Sequence, residues 1–241
     1  MKLAIISDIH GNFDAFQQVL EDIDRLQVDE VISLGDNIGY GPEPDRVIRQ
    51  IQARKIPSVQ GNHELALKDA KYLDWFNPSA RKSLLKTRGL LSKASNGFVT
   101  QLEPYLTCYG CRFVHGFPPD SALIYMFQVS DSRKAQVLKA AAERLCFIGH
   151  THSLEIISYD GQQMEYADLA KGLTNLDRNK KYIINIGSVG QPRDATNDAK
   201  YVIWDSEADT IEVRFIPYDI AAVVQKIREA GLPEEHAQRL W

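Results

Sequence analysis

Apolar residues in this chain fall into two rhythms. Short runs of strand length appear as LAIIS (3–7), EVISL (30–34), PSVQ (57–60), CRFV (111–114) and LCFIG (145–149). More follow at LEIISYDG, QQMEY, YIINIGSVG, KYVIWD and TIEVRFIPY. Between them, apolar residues recur at helical spacing. Phe13, Phe16, Val19, Leu20 and Ile23 predict a helix capped by Asn12 and running to about Leu26. Val47, Ile48 and Ile51 predict another over about Asp45 to Arg54, and a third is predicted from about Ser132 to Ala142. Asp219 opens a last helix carrying Ile220, Val223, Val224 and Ile227, stopped at Gly231 and Pro233. LEIISYDG and QQMEY read as a hairpin around Asp160 and Gly161.

Alternating strands and helices predict a layered α/β fold. Residues 66–100 stand apart: they carry little strand character, and Asn77-Pro78 is a helix-start signal, so a mainly helical, cap-like segment is expected there. No repeat, low-complexity stretch or linker interrupts the chain, and residues 1–241 are expected to form a single domain.

Composition narrows the setting. With 241 residues, 44% hydrophobic and 25% charged, the chain is long enough for a sizeable core. A net charge of −4 leaves no basic excess to displace counterions, which argues against broad nucleic-acid binding. No run approaches membrane-spanning length and no signal peptide is apparent, so a cytoplasmic location is expected. Cys108 and Cys111 form a C-x-x-C, but only Cys146 remains to partner them; they are read as incidental, flanking a turn between strands.

The chemistry lies at the strand ends. Five of the six histidines, His10, His63, His115, His150 and His152, follow apolar runs, and the first four stand beside or one residue from a glycine. Asp8, Asp36 and Asn62 occupy the same kind of position. Turns favour Asn, Asp and Gly but have no reason to favour His. In an extended chain, i and i+2 side chains point to the same side, so Asp8 with His10, and His150 with His152, are expected to aim at one point. Ligands bind outside the carboxyl ends of strands in open α/β sheets, so these residues are expected to share one crevice. Mixed imidazole and oxygen donors suit two divalent cations, manganese, iron, zinc, cobalt or nickel. Two such ions clamp the attacking and leaving oxygens of an in-line displacement.

The chain resembles the calcineurin-like metallophosphoesterase family. The resemblance rests on D-x-H (Asp8, His10), G-D-N (Gly35 to Asn37), G-N-H-E (Gly61 to Glu64), His115 before Gly116, and G-H-T-H (Gly149 to His152), in the family's order. GSVGQPRD (Gly187 to Asp194) looks like that of the small, YfcE-like bacterial branch. The resemblance implies two packed mixed β-sheets flanked by helices, a four-layer α/β/β/α sandwich. It implies that Asp8, His10 and His152 hold one metal, that Asn62, His115 and His150 hold the second, and that Asp36 bridges them. It also implies a metal-bridging hydroxide as nucleophile and an unligated His63 facing the leaving group. The expected metal is manganese, and the expected substrate a small phosphate ester or nucleotide, with phosphodiesters or dinucleoside polyphosphates favoured. Arg193 and Tyr40 are the expected substrate contacts. Alternatives are a phosphomonoesterase or protein phosphatase, and a non-catalytic, protein-binding scaffold of the same fold. One departure stands out: larger relatives carry an Asp that orients the catalytic His where this chain has Gly39.

Overall fold

In a computed structural model, whose described residues are 1–194 and 196–241, strand β1 (Lys2–Ile6) shows how the layers are built. Leu3 and Ile5 join a cluster between two sheets, whereas Ala4 and Ile6 face the cluster under helix α1 (Phe13–Leu26). Alternation along the strand makes that split automatic, and burial of both sets explains why the run carries no polar interruption.

One sheet has the order β2 (Glu30–Ser33), β1, β10 (Ala199–Asp205), β11 (Thr210–Ile216), β8 (Gly172–Asn175). The other runs β3 (Tyr105–Cys108), β4 (Cys111–Val114), β5 (Leu145–Ile148), β9 (Lys181–Ile186), β6 (Leu154–Tyr159), β7 (Met164–Asp168). Both are mixed: β1 and β2 are parallel, as are β4, β5 and β9, while β10, β11 and the β6–β7 hairpin pair antiparallel. Leu3, Ile5, Val202 and Trp204 from one sheet meet Phe113, Phe147, Ile184 and Ile186 from the other in the inter-sheet core. Helix α2 (Pro44–Ala53) joins α1 outside the first sheet, and α6 (Asp131–Ala140) covers the second through Leu138 against Val114, Cys146 and Ile183. The result is the expected four-layer sandwich.

Residues 62–99 are helical, as α3 (Asn62–Lys68), a 3₁₀ turn (Ala70–Trp75), α4 (Pro78–Leu90) and α5 (Lys93–Val99). Asn77 caps α4 by accepting the Ala80 N–H at 2.9 Å. The C-terminal pair α7 (Ile220–Glu229) and α8 (Glu234–Gln238) packs a small core of its own, including Val223, Ile227 and Leu240, and joins α4 through Lys86 bonds to the Ala230 and Gly231 carbonyls. Cys108 and Cys111 are free and face each other across the β3–β4 turn.

One expected strand is not a strand. PSVQ makes only isolated bridges, Ser58 to Ser33 and Val59 to Glu103, because the chain turns at Gly61 straight into α3. Among the described residues no helix is long and apolar enough to cross a membrane.

Candidate metal centre

The segments leaving β1, β2, β4 and β5 meet at one end of the sandwich. Asp8, His10, Asp36, Asn62, His63, His115, His150 and His152 are all buried there. The expected geometry of Asp8 with His10 and of His150 with His152 needs correction. β1 ends at Ile6 and β5 at Ile148, so neither pair lies on an extended chain. Instead Asp8 (φ 54°), His10 (φ 50°), Asp36 (φ 50°), His150 (φ 70°) and His152 (φ 61°) occupy the left-handed region, which side-chain-bearing residues rarely adopt. Such strain persists only where the surroundings impose it. Here the loops brace each other: the N–H groups of Asp8, His10 and Gly11 donate to the Gly35, Asp36 and Asn37 carbonyls at 3.0, 2.9 and 2.9 Å.

Each carboxylate has one oxygen bonded to the fold and the other turned to the imidazoles. Asp8 Oδ2 accepts from the Ser7 hydroxyl (2.6 Å) and the His150 N–H (3.1 Å), while its buried Oδ1 has no hydrogen-bond donor and lies 3.1 Å from His152 Nε2 and 3.6 Å from His10 Nε2. Asp36 Oδ1 accepts the His63 N–H at 2.9 Å; its Oδ2 lies 3.3, 3.8 and 3.9 Å from Nε2 of His115, His10 and His63. Gly61 makes room for this carboxylate, since a Cβ there would sit 2.1 Å from Asp36 Oδ1.

Four imidazoles are locked in one tautomer. Nδ1 of His10, His115 and His152 donates to the carbonyls of Ile38 (3.0 Å), Leu34 (2.9 Å) and Gln191 (2.6 Å), and His150 Nε2 donates to that of Leu123 (3.2 Å). A carbonyl only accepts, so in the neutral ring the proton sits on the outward nitrogen and a lone pair on the inward one. Those inward nitrogens crowd together: His10 and His152 Nε2 are 3.1 Å apart, His115 Nε2 and His150 Nδ1 are 3.2 Å apart, and Asn62 Oδ1 is 3.0 Å from His115 Nε2. Facing lone pairs repel unless a cation or a proton lies between them, and outward N–H bonds of this kind accompany metal-ligating histidines. The donor set therefore fits divalent metals. Three groups, Asp8–His10–His152, Asp36–His115–His150 and His10–Asp36–His63, each bring their donor atoms within 4.8 Å of one another.

Charge follows from this crowding. Burial opposes ionisation of Asp36, but His115 and His63 outweigh it and hold the carboxyl well below its usual range. Burial likewise opposes the charged form of Asp8, and His152 and His115 reverse the balance. Burial works against protonation of His115, yet Asp36 and Asp8 raise it to about 9.

His63 differs from the other four. Its Nδ1 is buried without a partner, and a Cβ at Gly39 (φ 89°) would lie 2.1 Å from that atom. The ring is instead held by Tyr40 (4.6 Å, edge-on), Phe76 (4.8 Å, edge-on) and His10 (4.8 Å). Tyr40 also packs on His10 at 4.4 Å and on His236 of α8 at 4.6 Å. Arg193 is more exposed; its Nη2 donates to Gln191 Oε1 at 3.1 Å. Its charge acts on the hydroxyls of both Tyr40 and Tyr125, opposing the burial that pushes Tyr40 up to about 12. Both expected substrate contacts thus border the cluster, Tyr40 directly and Arg193 at its edge.

Glu64, the last residue of G-N-H-E, ties the site together. Its carboxyl accepts the N–H groups of Asp36 (2.9 Å), Asn37 (2.8 Å) and Gly61 (2.9 Å), fixing two site loops at once. A glutamate three residues into a helix that bonds back to the residue before its start is a spacing the sequence displays.

Residues 1–209 match the calcineurin-like phosphoesterase superfamily domain. The chain belongs to that superfamily. It is 34% identical to the protein MJ0912 of Methanocaldococcus jannaschii over 246 residues, covering 99% of this chain and 97% of that one. A metallophosphoesterase from Sphaerobacter thermophilus superposes with a TM-score of 0.84 at 33% identity, covering 100% of this chain and 98% of that structure. PH1004 of Pyrococcus horikoshii gives a TM-score of 0.80 at 18% identity, over 100% and 97% of the two chains, a likeness of fold. As a member of a metal-dependent phosphoesterase superfamily, the chain has the fold and donor clusters of a hydrolase.

Proposed function

We propose that the protein is a dinuclear metal-dependent phosphoesterase acting on nucleotide phosphodiesters or dinucleoside polyphosphates in preference to small monoesters. One observation carries the metal-dependent part of this reading: four imidazoles with outward N–H groups committed to carbonyls, their inner nitrogens gathered around Asp36 Oδ2 and around Asp8 Oδ1, which has no hydrogen-bond donor in the fold. Asp8, His10 and His152 would hold one cation and Asn62, His115 and His150 the other. Asp36 would serve both, since its Oδ2 lies within 3.8 Å of Nε2 of His10 and of His115. The nitrogen and oxygen donors suit manganese, with iron, zinc, cobalt or nickel as substitutes. When bound, the cations would supply a positive clamp on the phosphoryl oxygens and an ionised water at neutral pH.

The remaining work falls to the chain. His63 is the one site imidazole with no carbonyl fixing its tautomer, so it is free to carry a proton on Nε2 and pass it to the departing oxygen as the P–O bond breaks. Burial lowers it to about 4, and an arriving phosphate anion favours its protonated form. Arg193 would fork onto a phosphate beyond the one being cleaved.

The test is activity on an aryl phosphate ester. Chelator should abolish it, manganese should restore it, and Asp36→Asn should cost roughly 10³-fold, the equivalent of several kcal/mol of charge stabilisation. Full activity in chelator, with no metal by elemental analysis, overturns the proposal.

A further inference from the structure

Two aromatic walls run outward from the metal centre, and the proposed chemistry uses neither of their outer ends. On one wall Tyr125 stacks on His150 with ring centroids 3.8 Å apart and planes 14° from parallel. Phe127 stacks in turn on Tyr125 at 5.0 Å and 19°, and is 74% exposed. On the other wall Phe76 packs edge-on against His63, and its neighbour Trp75 is 69% exposed. Between them lies a cleft of about 230 Å³ lined by Trp75, Phe76 and Tyr125, with Tyr40, Asn62 and His150 on its inner side. Tyr72, by contrast, packs against the core beneath α1 and does not line the cleft.

Trp75 lines the cleft, and Phe127, outside its lining, stacks on the Tyr125 ring that does line it; aromatic rings gathered at a concave site with a few polar groups at its inner end mark a ligand surface. The inner end of this cleft is the proposed phosphoryl site, and Arg193 acts on the Tyr40 and Tyr125 hydroxyls that line it, so its occupant is anionic near the donor cluster and planar and apolar farther out. We infer that Trp75 on one side, and Tyr125 extended by Phe127 on the other, form a subsite for a nucleobase joined to the scissile phosphate. This rests on the phosphoesterase reading and adds to it the class of leaving or retained group. Base-on-aromatic stacking tolerates any base, because every base offers a π face, so the subsite selects nucleotides over simple esters without choosing among bases.

The experiment compares kcat/KM for a dinucleoside polyphosphate with that for methyl 4-nitrophenyl phosphate, in the manganese-loaded protein and in Trp75→Ala and Phe127→Ala. Each substitution is at an exposed position and should lower the ratio, by roughly tenfold for Trp75→Ala. Binding gives a second readout. β,γ-methylene-ATP should quench the fluorescence of a Trp241→Phe protein, methylenebisphosphonate should not, and the quench should vanish in Trp75→Ala. The remaining tryptophan, Trp204, is buried between the sheets and should not respond. If neither ester is hydrolysed, the phosphoesterase reading fails and takes the subsite with it. If both are hydrolysed but the ratio stays within twofold of wild type in both variants, and the nucleotide quench persists without Trp75, the subsite alone is overturned.

Discussion

The donor cluster and the cleft outside it are built by opposite means. In the cluster nearly every polar side chain is held by a hydrogen bond to the fold: Asp8 by Ser7 and the His150 N–H, Asp36 by the His63 N–H, and four imidazoles by carbonyls. In the cleft the aromatic rings are held by stacking, and the Arg193 guanidinium beside them donates to Gln191. Fixed donors suit cations, whose ligands must sit within tenths of an ångström. Rings held by stacking suit a variable organic group. His63 stands on the boundary, with its backbone in the hydrogen-bonded cluster and its ring in the aromatic set.

That boundary position gives the largest expected effect. His63→Asn should keep bound metal, because the other donors remain, and should lower kcat by roughly 10²–10⁴-fold on esters with poor leaving groups and less on good ones. Elemental analysis together with a leaving-group series checks it. Metal lost with activity would move His63 into the cluster, where its proximity to His10 and Asp36 also admits it.

Gly39→Ala asks the same question from the other side. A Cβ there would lie 2.1 Å from His63 Nδ1, at a backbone φ of 89° that is itself unfavourable for alanine, so the ring must move. The rate should fall by roughly 10²-fold, with metal content kept and with the leaving-group dependence of His63→Asn. A wild-type rate would show that aromatic packing does not position this ring.

Arg193→Ala probes the cleft edge. The loop bearing Arg193 is anchored by Lys200, whose buried ammonium pairs with Asp194 at 2.7 Å and donates to the Thr196 and Asp198 carbonyls, so removing the guanidinium leaves the loop anchored. The preference for polyphosphate over monophosphoryl substrates should narrow by about 1–3 kcal/mol, the worth of a charged hydrogen bond. An unchanged preference would leave the cleft aromatic without being cationic.

The same division decides what the sequence reveals. Asp8, His10, Asp36, Asn62, His63, His115, His150 and His152 were legible because histidine after histidine at strand ends is not turn chemistry. How they converge was not legible: the extended-chain expectation for Asp8 with His10 fails because left-handed backbone at five site residues arises from loops bracing one another, a tertiary effect without a local signature. The layered fold was readable from period alone, apart from PSVQ, where Pro57 and the turn at Gly61 leave too little room for a ladder, β8, a four-residue edge strand too short to display alternation, and α8, whose five residues are too few to display a period. Tyr125, Phe127 and His236 escaped because an aromatic in a loop or a single helical turn looks the same whether it packs a core or lines a site. Only contacts such as Tyr125 on His150 separate the two.

The smallest expected effect on catalysis comes from an ionic site outside both regions, and it tests whether the cluster's rigidity is its own. Asp22 on α1 accepts from the Tyr201 hydroxyl (2.8 Å), from Arg214 Nε and Nη2 (3.0 Å each) and from Arg25 Nη2 (3.0 Å), tying the helix to β10 and β11. Burial works against its charge, but the bonds from Arg214 and Tyr201 prevail and lower its pKa below the ordinary 3.8. A carboxyl with a lowered folded-state pKa contributes stability that is present above the unfolded value and lost as pH falls through the folded one. Asp22→Asn cannot titrate, so it should be less stable than wild type by about 1–3 kcal/mol at neutral pH, and the gap should close as the pH drops below 3.8. Urea midpoints across that range measure it. Rates on aryl phosphate esters should stay within twofold of wild type, because Asp22 bonds to none of the loops that carry the metal donors; a larger loss would mean that those loops depend on how α1 is seated on the sheet, and that the cluster is less self-supporting than its hydrogen bonds indicate.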